Sequence, residues 1–290
     1  MRTAALTMLF CAGAGSISGA EHYPVTGLVL KIDRAHRSFM ASCTAIPGYM
    51  DAMVMPIPVR DVMGLDALQP STLVDFTLVV TKDDAYAENV RVHRYQSLET
   101  EPLQVRQLQV LAGLDHAGGA TAELPLGAPV PDFTLVDQAG HNVTLSQLAG
   151  KVLVSSFIYT SCPLPNYCFR LSNNLGRLQK RFADRMGRDL VLLSVSIDPV
   201  HDTPDVLAKY AATWKADAGS WHFLTGPEPE VKRICHSFGV NFWPDEGALT
   251  HSLHTIIIDR QGKLAANFEG NEFTAEQLGD FVEAVLGQRE

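Results

Sequence analysis

The stretch KVLVSSFIYTSCPLPNYCFRLSNNLGRLQKRF, residues 151–182, joins three patterns in one run. Its first nine residues form a continuous apolar run, which is typical of a strand buried inside a sheet. Further on, apolar residues recur every three or four positions, which predicts an amphipathic helix. These residues are Leu171, Leu175, Leu178 and Phe182. The two cysteines of the stretch lie between the predicted strand and the predicted helix.

Five residues separate Cys162 from Cys168, and two of the five are prolines. Cys162 follows the strand and Cys168 opens the helix, where the helix N-terminus favours a thiolate over a thiol. Pro163 and Pro165 keep the spacer out of a regular helix. Thiolates serve both disulfide exchange and metal binding, so the pair is interpreted as a structural disulfide, a redox dithiol or part of a metal site.

The chain around this stretch alternates between strands and helices from about residue 130 onward. Further strand and helix patterns follow at 190–197, 202–214, 229–238, 254–268 and 274–286. The fourth of these is typical of a hairpin and the last is typical of a closing helix. Strand, helix, strand, helix, hairpin and helix in this order predict an α/β domain with one mixed sheet over residues 126–290.

The chain before residue 126 has a different character. Residues 22–96 contain several short, β-branched strand patterns, and so many short strands in so small a segment predict an all-β, OB-like barrel. The composition of residues 97–125 predicts a region that links two domains. It contains the segment LQVRQLQVLAGL, which is expected to dock on one of the domains, followed by a Gly-rich linker. The prediction is therefore two domains joined by a linker.

The first twenty residues have one Arg, a short apolar run and small residues ending at Ala20. This pattern predicts a signal peptide, residues 1–20, and a periplasmic location, with a retained membrane anchor as the alternative. The formal net charge of −9 does not favour binding to nucleic acid. No Gly-rich phosphate loop follows a predicted strand, so nucleotide use has no support either.

Three motifs in the second half resemble the Sco/SenC family: YTSCPLPNYC (159–168), SVSIDPVHDTP (194–204) and THSLHTIIIDRQG (250–262). The resemblance implies a thioredoxin-like fold and a role in copper delivery during cytochrome oxidase assembly. It also implies copper ligands at Cys162, Cys168 and His251. Asp198 matches an acidic residue of the second motif and is expected to lie behind the ligands or to fix a loop. The family usually has three residues between its cysteines, whereas this chain has five.

A second group of soft ligands lies in the first half, where Cys43, Met50, Met53 and Met55 fall within thirteen residues. On a strand, Met53 and Met55 point to the same side, and thioethers and thiolates suit Cu(I). Methionines that fill a core are the alternative interpretation. The segment resembles the CusF-like small barrels, whose ligands are one His and two Met under a Trp. Met53 and Met55 match the Met pair, while Cys43 and Met50 lie near the positions of the His and the Trp.

Together these patterns predict an exported protein that captures Cu(I) and delivers copper, as Cu(I) or Cu(II), to an acceptor such as an oxidase subunit. That acceptor could be associated with a membrane. The alternative is a thiol–disulfide oxidoreductase in which Cys162 and Cys168 reduce cysteines of a partner. The sequence alone does not separate these two functions, because the same thiolate serves both.

Overall fold

A computed structural model describes residues 20–61, 63–93, 123–245 and 248–288. Except for residue 20, the predicted signal peptide lies outside the described residues. The same is true of residues 97–122 of the predicted linker, including the docking segment. No helix in the described part of the chain is long and apolar enough to cross a membrane.

The N-terminal domain is one antiparallel sheet of five strands in the order β3-β2-β1-β4-β5. The strands are β1 (Glu21–Asp33), β2 (Ser38–Cys43), β3 (Met53–Pro58), β4 (Leu73–Val80) and β5 (Ala85–Val92). An isolated bridge between Val59 and Ala87 joins the ends of the sheet, but no strand ladder in the described residues connects β3 to β5. The sheet is therefore open, and the predicted barrel is not confirmed.

The edge strand β3 has a composition that suits its position. Its sequence, MVMPIP, places Pro56 opposite Met40 and Pro58 opposite Ser38 of β2. Proline has no main-chain N–H, so it is tolerated on an edge strand where its nitrogen faces away from the neighbouring strand.

The C-terminal domain is built on a mixed sheet in the order β10-β9-β8-β13-β14. Its strands are β8 (Val152–Ile158), β9 (Leu190–Ser196), β10 (Trp221–Leu224), β13 (His254–Ile258) and β14 (Leu264–Glu269). The first three run parallel, while β13 is antiparallel to both β8 and β14. Every residue of β8 and β9 is buried, as their apolar sequences require. Two hairpins complete the domain: β6 (Thr134–Val136) with β7 (Asn142–Thr144), and β11 (Phe242–Asp245) with β12 (Ala248–His251).

Five α-helices are described: α1 (Met63–Asp66), α2 (Arg170–Arg181), α3 (Pro204–Thr213), α4 (Glu228–Ser237) and α5 (Ala275–Leu286). A short 3₁₀ helix covers Leu145–Leu148 and a π-helical turn covers Pro165–Phe169. Thr274 caps α5 by accepting a hydrogen bond from the Gln277 N–H in a complete capping box. The predicted α/β order of the second half is thus confirmed.

Helices α2 and α5 lie side by side and run in the same direction. Two ion pairs join the helices in register, and a third joins α5 to Arg185, which lies four residues beyond the end of α2. The pairs are Arg177–Glu276, Arg181–Asp280 and Arg185–Glu283. Glu276, in the first turn of α5, therefore lies beside Arg177 in the middle of α2.

Strand β1 separates two hydrophobic cores. Successive strand residues point to opposite faces, so Val29 enters the core of the N-terminal sheet while Leu28 packs into the core of the C-terminal domain. Leu30 and Leu73 pack against that second core from the same sheet, and α5 contacts both β1 and β2. The N-terminal sheet therefore covers part of the C-terminal domain.

The interior position of β9, between β8 and β10, gives a test of the fold. Leu192 is fully buried, and we expect Leu192→Ala to lower the free energy of unfolding by about 2–5 kcal/mol, measured by urea denaturation. Val200→Ala is the matched control because that side chain is 69% exposed, and its effect should stay within about 0.5 kcal/mol. Equal effects of the two variants would contradict the assigned core.

Candidate functional site

The thiol site lies at the end of β8, where the chain leaves the sheet. Tyr159 follows the strand, and its carbonyl accepts a hydrogen bond of 3.3 Å from the Cys162 N–H. The chain then forms the π-helical turn Pro165–Phe169, in which Tyr167 has non-helical backbone angles, before α2 begins. This path leaves Cys162 half-buried, whereas Cys168 is 1% exposed.

Cys168 lies between two partners. Its Sγ is 3.6 Å from Nε2 of His251, and its thiol also donates a hydrogen bond to the sulfur of Cys162. The other ring nitrogen of His251, Nδ1, is 2.9 Å from the carbonyl oxygen of Ser252. A carbonyl only accepts, so Nδ1 carries the proton and the neutral ring turns the Nε2 lone pair towards Cys168.

The two thiols differ strongly in acidity. The hydrogen bond donated by Cys168 lowers the pKa of Cys162 to about 6, although partial burial opposes the shift. The pKa of Cys168 is raised well above its usual range, because its thiol is the donor of that hydrogen bond and because it is buried. The sequence placed a stabilised thiolate at the helix start, but α2 begins only at Arg170. The half-exposed Cys162 is the favoured thiolate instead.

His251 is prepared to act as a neutral ligand. It is 5% exposed at the end of β12, and this burial lowers the pKa of the imidazole to about 4. The ring is consequently uncharged throughout the neutral pH range, with Nε2 available as an acceptor or a metal ligand.

Cys168 interacts separately with Cys162 and with His251. Across the described residues, no group of three or more His, Cys, Asp or Glu side chains is arranged to hold a metal ion. The structure thus brings Cys162 to Cys168, and Cys168 to His251, without forming a closed three-ligand site. The four described cysteines, Cys43, Cys162, Cys168 and Cys235, are all free thiols.

The acidic residue that fixes the thiol loop is Asp202. Its buried carboxylate accepts hydrogen bonds from the N–H and the hydroxyl of Thr160, at 3.1 and 2.5 Å, and from Ser196 Oγ at 2.6 Å. Asp198, the residue selected from the sequence, instead contacts Nδ1 of His201 at 2.8 Å. Asp202 lies in the same sequence motif. Its position directly before Thr203, the cap residue of α3, is the one sequence signal that could have identified it.

Two other residues of the site were missed by the sequence analysis. Tyr159 adds to the hydrogen bonding of the Cys162 sulfur, and its ring lies edge-on to that of His251 with centroids 5.9 Å apart. Asn271 precedes α5 and donates a hydrogen bond from Nδ2 to the Asn166 carbonyl, inside the cysteine spacer. A tyrosine at the end of a buried strand is a weak signal, and nothing near Asn271 in the sequence indicates its contact.

The soft ligands of the N-terminal sheet share one face. Cys43 pairs with Met53, and Ala41 pairs with Met55, so the side chains of Cys43, Met53 and Met55 point to the same side. On this face the thiol of Cys43 is buried, whereas Met53 is 49% exposed. Met50 lies in the turn between the strands, and both Met50 and Met55 pack partly against the N-terminal core.

Cys43 is a neutral thiol in this arrangement. Burial raises its pKa to about 12, and its Sγ contacts the Ala41 carbonyl oxygen at 3.9 Å. Tyr49, next to Met50, stacks on Tyr23 with ring centroids 4.3 Å apart. The face therefore offers thioethers that need no deprotonation, beside a thiol that must lose its proton to bind a metal.

The difference between the thiols predicts selective alkylation. We expect iodoacetamide to modify Cys162 with a rate midpoint near pH 6, because alkylation requires the thiolate. The rate is measured across pH by mass spectrometry of the peptides, and Cys168, Cys43 and Cys235 should stay unmodified.

Replacing the donor tests the cause of this reactivity. Cys168→Ala should move the Cys162 midpoint up towards the usual thiol value of about 8.5, while Cys235→Ala should leave it unchanged. A wild-type midpoint already near that usual value would contradict the assigned contact.

Comparison with known proteins supports the resemblance found in the sequence. A "SCO1 protein homolog" of Bacillus subtilis (strain 168) is 32% identical over 162 residues, which cover 54% of this chain and 82% of the relative. A protein of Stutzerimonas stutzeri whose name refers to copper binding is 27% identical over 146 residues, 49% of this chain and 69% of that protein.

A solved structure shows the same fold. The crystal structure of a SCO1/SenC family lipoprotein from Bacillus anthracis str. Ames superposes with a TM-score of 0.50 at 25% identity, covering 57% of this chain and 99% of that one. The predicted thioredoxin-like fold of the second half is thereby confirmed, whereas the CusF-like resemblance of the first half stays a prediction. The SCO1/SenC family model matches residues 123–287, more than half of the sequence, and the chain belongs to that family.

Proposed function

We propose that the protein binds Cu(I) through Cys162, Cys168 and His251 and passes copper to an accepting protein. The observation that carries this proposal is the position of Cys168, whose sulfur lies 3.6 Å from His251 Nε2 and whose thiol donates a hydrogen bond to Cys162. Two sulfurs and one imidazole nitrogen with a free lone pair form a donor set that suits Cu(I).

Family membership and the name of the Stutzerimonas stutzeri relative support copper as the cargo. The protonation states support it as well, since Cys162 and His251 can bind at neutral pH without losing a proton. Only Cys168 must release one, and a bound metal lowers the pKa of a coordinating thiol. Copper loading should therefore release about one proton for each ion at neutral pH.

The long spacer gives the site the movement that it needs. Closing three ligands on one ion requires Cys162 to shift relative to Cys168, because their contacts are pairwise. Pro163, Leu164, Pro165 and Asn166 are all exposed, so the spacer can move without breaking a core. The same movement would let an acceptor replace one ligand at a time.

We further propose that the acceptor is a cuproprotein, such as an oxidase subunit, and that the exchange takes place outside the cytoplasm. The signal-peptide pattern of residues 1–20 and the family relationship support a location outside the cytoplasm. A membrane-associated acceptor is consistent with both.

Copper titration tests the thiol site. We expect the reduced full-length protein to bind Cu(I) in competition with bicinchoninate, and Cys162→Ala or His251→Ala to remove one tightly bound ion. Cys235→Ala is the matched control because that thiol is also buried but lies within α4, an element that carries none of the three proposed ligands. Binding that survives Cys162→Ala unchanged would contradict the proposal.

We propose a second Cu(I) site on the N-terminal sheet, formed by Met53, Met55 and Met50 with Cys43. The supporting observation is that the strand register places Cys43, Met53 and Met55 on one face, with Met53 open to solvent. Thioethers bind Cu(I) without competing protons, so this face could capture the ion at a pH where Cys43 is neutral.

Removal of the thioether sulfurs tests the second site. We expect Met53→Leu/Met55→Leu to lower the copper stoichiometry from near two per chain to near one, measured by elemental analysis after desalting. Leucine keeps an apolar side chain of similar volume, so the fold should change little. Met40→Leu is the control, since Met40 is 36% exposed on the opposite face of β2. A stoichiometry unaffected by the double variant would overturn the second site.

A thiol–disulfide oxidoreductase is the second candidate, and the acidity of Cys162 favours it. The Cys162 thiolate would attack a partner disulfide to form a mixed disulfide, and Cys168 would then displace the second partner thiol. The pair becomes a disulfide as the partner gains two electrons and two protons. Reduction of insulin or of a partner disulfide by the copper-free dithiol distinguishes the two functions, because a pure copper carrier should be inactive.

A further inference from the structure

The chain between β14 and the first turn of α5 touches both halves of the protein. We call residues 270–277 the bridging segment. One end contacts the spacer between Cys162 and Cys168, and the other end contacts the strand that carries Cys43. Two buried polar side chains, Asn271 and Gln277, make these contacts, although neither belongs to the donor sets proposed above.

At the first end, Asn271 donates a hydrogen bond from Nδ2 to the main-chain carbonyl of Asn166. Asn166 is the fourth residue of the five-residue spacer, whose side chains from Pro163 to Asn166 are exposed. Few packing contacts restrain such a loop, so a hydrogen bond from a buried amide restricts it substantially. Asn271 thereby limits how far the two sulfurs can separate.

At the second end, Gln277 is held on both sides of its amide. Its Oε1 accepts from the Thr274 N–H at 3.0 Å, and its Nε2 donates to the Ser42 carbonyl at 3.1 Å. Asp280, one turn further along α5, accepts from Ser42 Oγ at 2.7 Å. Ser42 is adjacent to Cys43, so the bridging segment is anchored at the end of β2 next to the second proposed copper site.

Between its two ends the segment is well fixed. Phe273 is 3% exposed and packs in the C-terminal core against Phe268. Thr274 and Gln277 form the capping box that starts α5. Movement at one end therefore cannot be absorbed easily within the segment.

We propose that the bridging segment couples the N-terminal sheet to the thiol loop, with Asn271 as a positioning residue for Cys162 and Cys168 and Gln277 as its anchor on the sheet. The proposal rests on the proposed use of the two cysteines as a working pair. Docking of the N-terminal sheet thus helps to set the separation of the two sulfurs. This coupling gives the N-terminal sheet a role in the C-terminal site, and the role requires no transfer of metal between the two domains.

The expected effect follows from effective concentration. A restrained spacer keeps the two sulfurs close, which favours their oxidation to a disulfide by a glutathione buffer. In that reaction the dithiol and one oxidised glutathione give the protein disulfide and two reduced glutathiones. Loss of one hydrogen bond worth about 1 kcal/mol should lower the equilibrium constant of this reaction roughly three- to tenfold.

The test uses the full chain with two near-isosteric variants. Asn271→Asp removes the donor to Asn166, and Gln277→Glu removes the donor to Ser42 while keeping an oxygen that accepts from the Thr274 N–H. The fraction of oxidised Cys162–Cys168 pair is measured by thiol trapping across a series of glutathione ratios, and thermal unfolding is recorded for each variant. Both variants should lower the equilibrium constant, with Asn271→Asp having the larger effect.

Ser71→Ala is the matched control, because Ser71 Oγ donates to the Asn267 carbonyl at 3.3 Å and so joins the same two domains outside the bridging segment. It should leave the equilibrium constant unchanged. An effect of Ser71→Ala as large as that of Gln277→Glu would overturn the proposal, and so would an unchanged constant in either segment variant. If Asn271→Asp does not fold, Gln277→Glu decides the question alone.

The glutathione measurement contains no copper, so it is independent of the copper titration. A failure of the coupling would appear as unchanged constants in a protein whose wild type still binds copper through Cys162. A failure of the proposed copper function would appear in the wild type itself, whatever the variants do.

Discussion

The buried thiol of Cys168 sets the chemistry of both its neighbours. It donates a hydrogen bond to the sulfur of Cys162, which becomes the acidic thiol of the pair, and its own sulfur faces the unprotonated nitrogen of His251. Because Cys168 is buried, the cost of ionising it is high, and one negative charge in the site resides on the more exposed sulfur. A soft cation entering the site would remove that cost, which explains how one arrangement can serve either metal binding or thiol exchange.

This placement depends on the framework around it. The fully buried strands β8 and β9 hold the chain up to Tyr159, and Asp202 fixes Thr160, two residues before the first cysteine. Beyond that point Pro163 to Asn166 are exposed, and the chain passes through the π-helical turn before α2 begins. The cysteine pair is thus held by the sheet on one side and by α2 on the other, with an exposed stretch between them, which fits the copper exchange proposed above.

Much of the C-terminal fold could be predicted because its signals are local. The apolar run of β8, the helical spacing after Cys168 and the cap at Thr274 each act through residues close in sequence. The site was harder, because its distinguishing contacts join distant residues: Asn271 reaches Asn166 across 105 positions. Periodicity also could not choose Asp202 over Asp198, since burial decided between two carboxylates four residues apart.

The N-terminal sheet shows a similar limit. Its strands were predicted from β-branched patterns, but closure depends on whether β3 and β5 form a ladder, and no pattern within either strand specifies that pairing. The packing of Leu28 against the C-terminal domain could not be predicted either, because an alternating strand pattern does not show what covers the second face of the sheet.

The prolines of β3 have a consequence for behaviour in solution. An open sheet whose edge strand exposes Met53 and Val54 would normally attract a strand from another molecule and begin to aggregate. Pro56 and Pro58 remove two of the N–H groups that an incoming strand would need as hydrogen-bond donors. The exposed side chain of Met53 therefore lies on an edge strand that is a poor template for pairing with another chain.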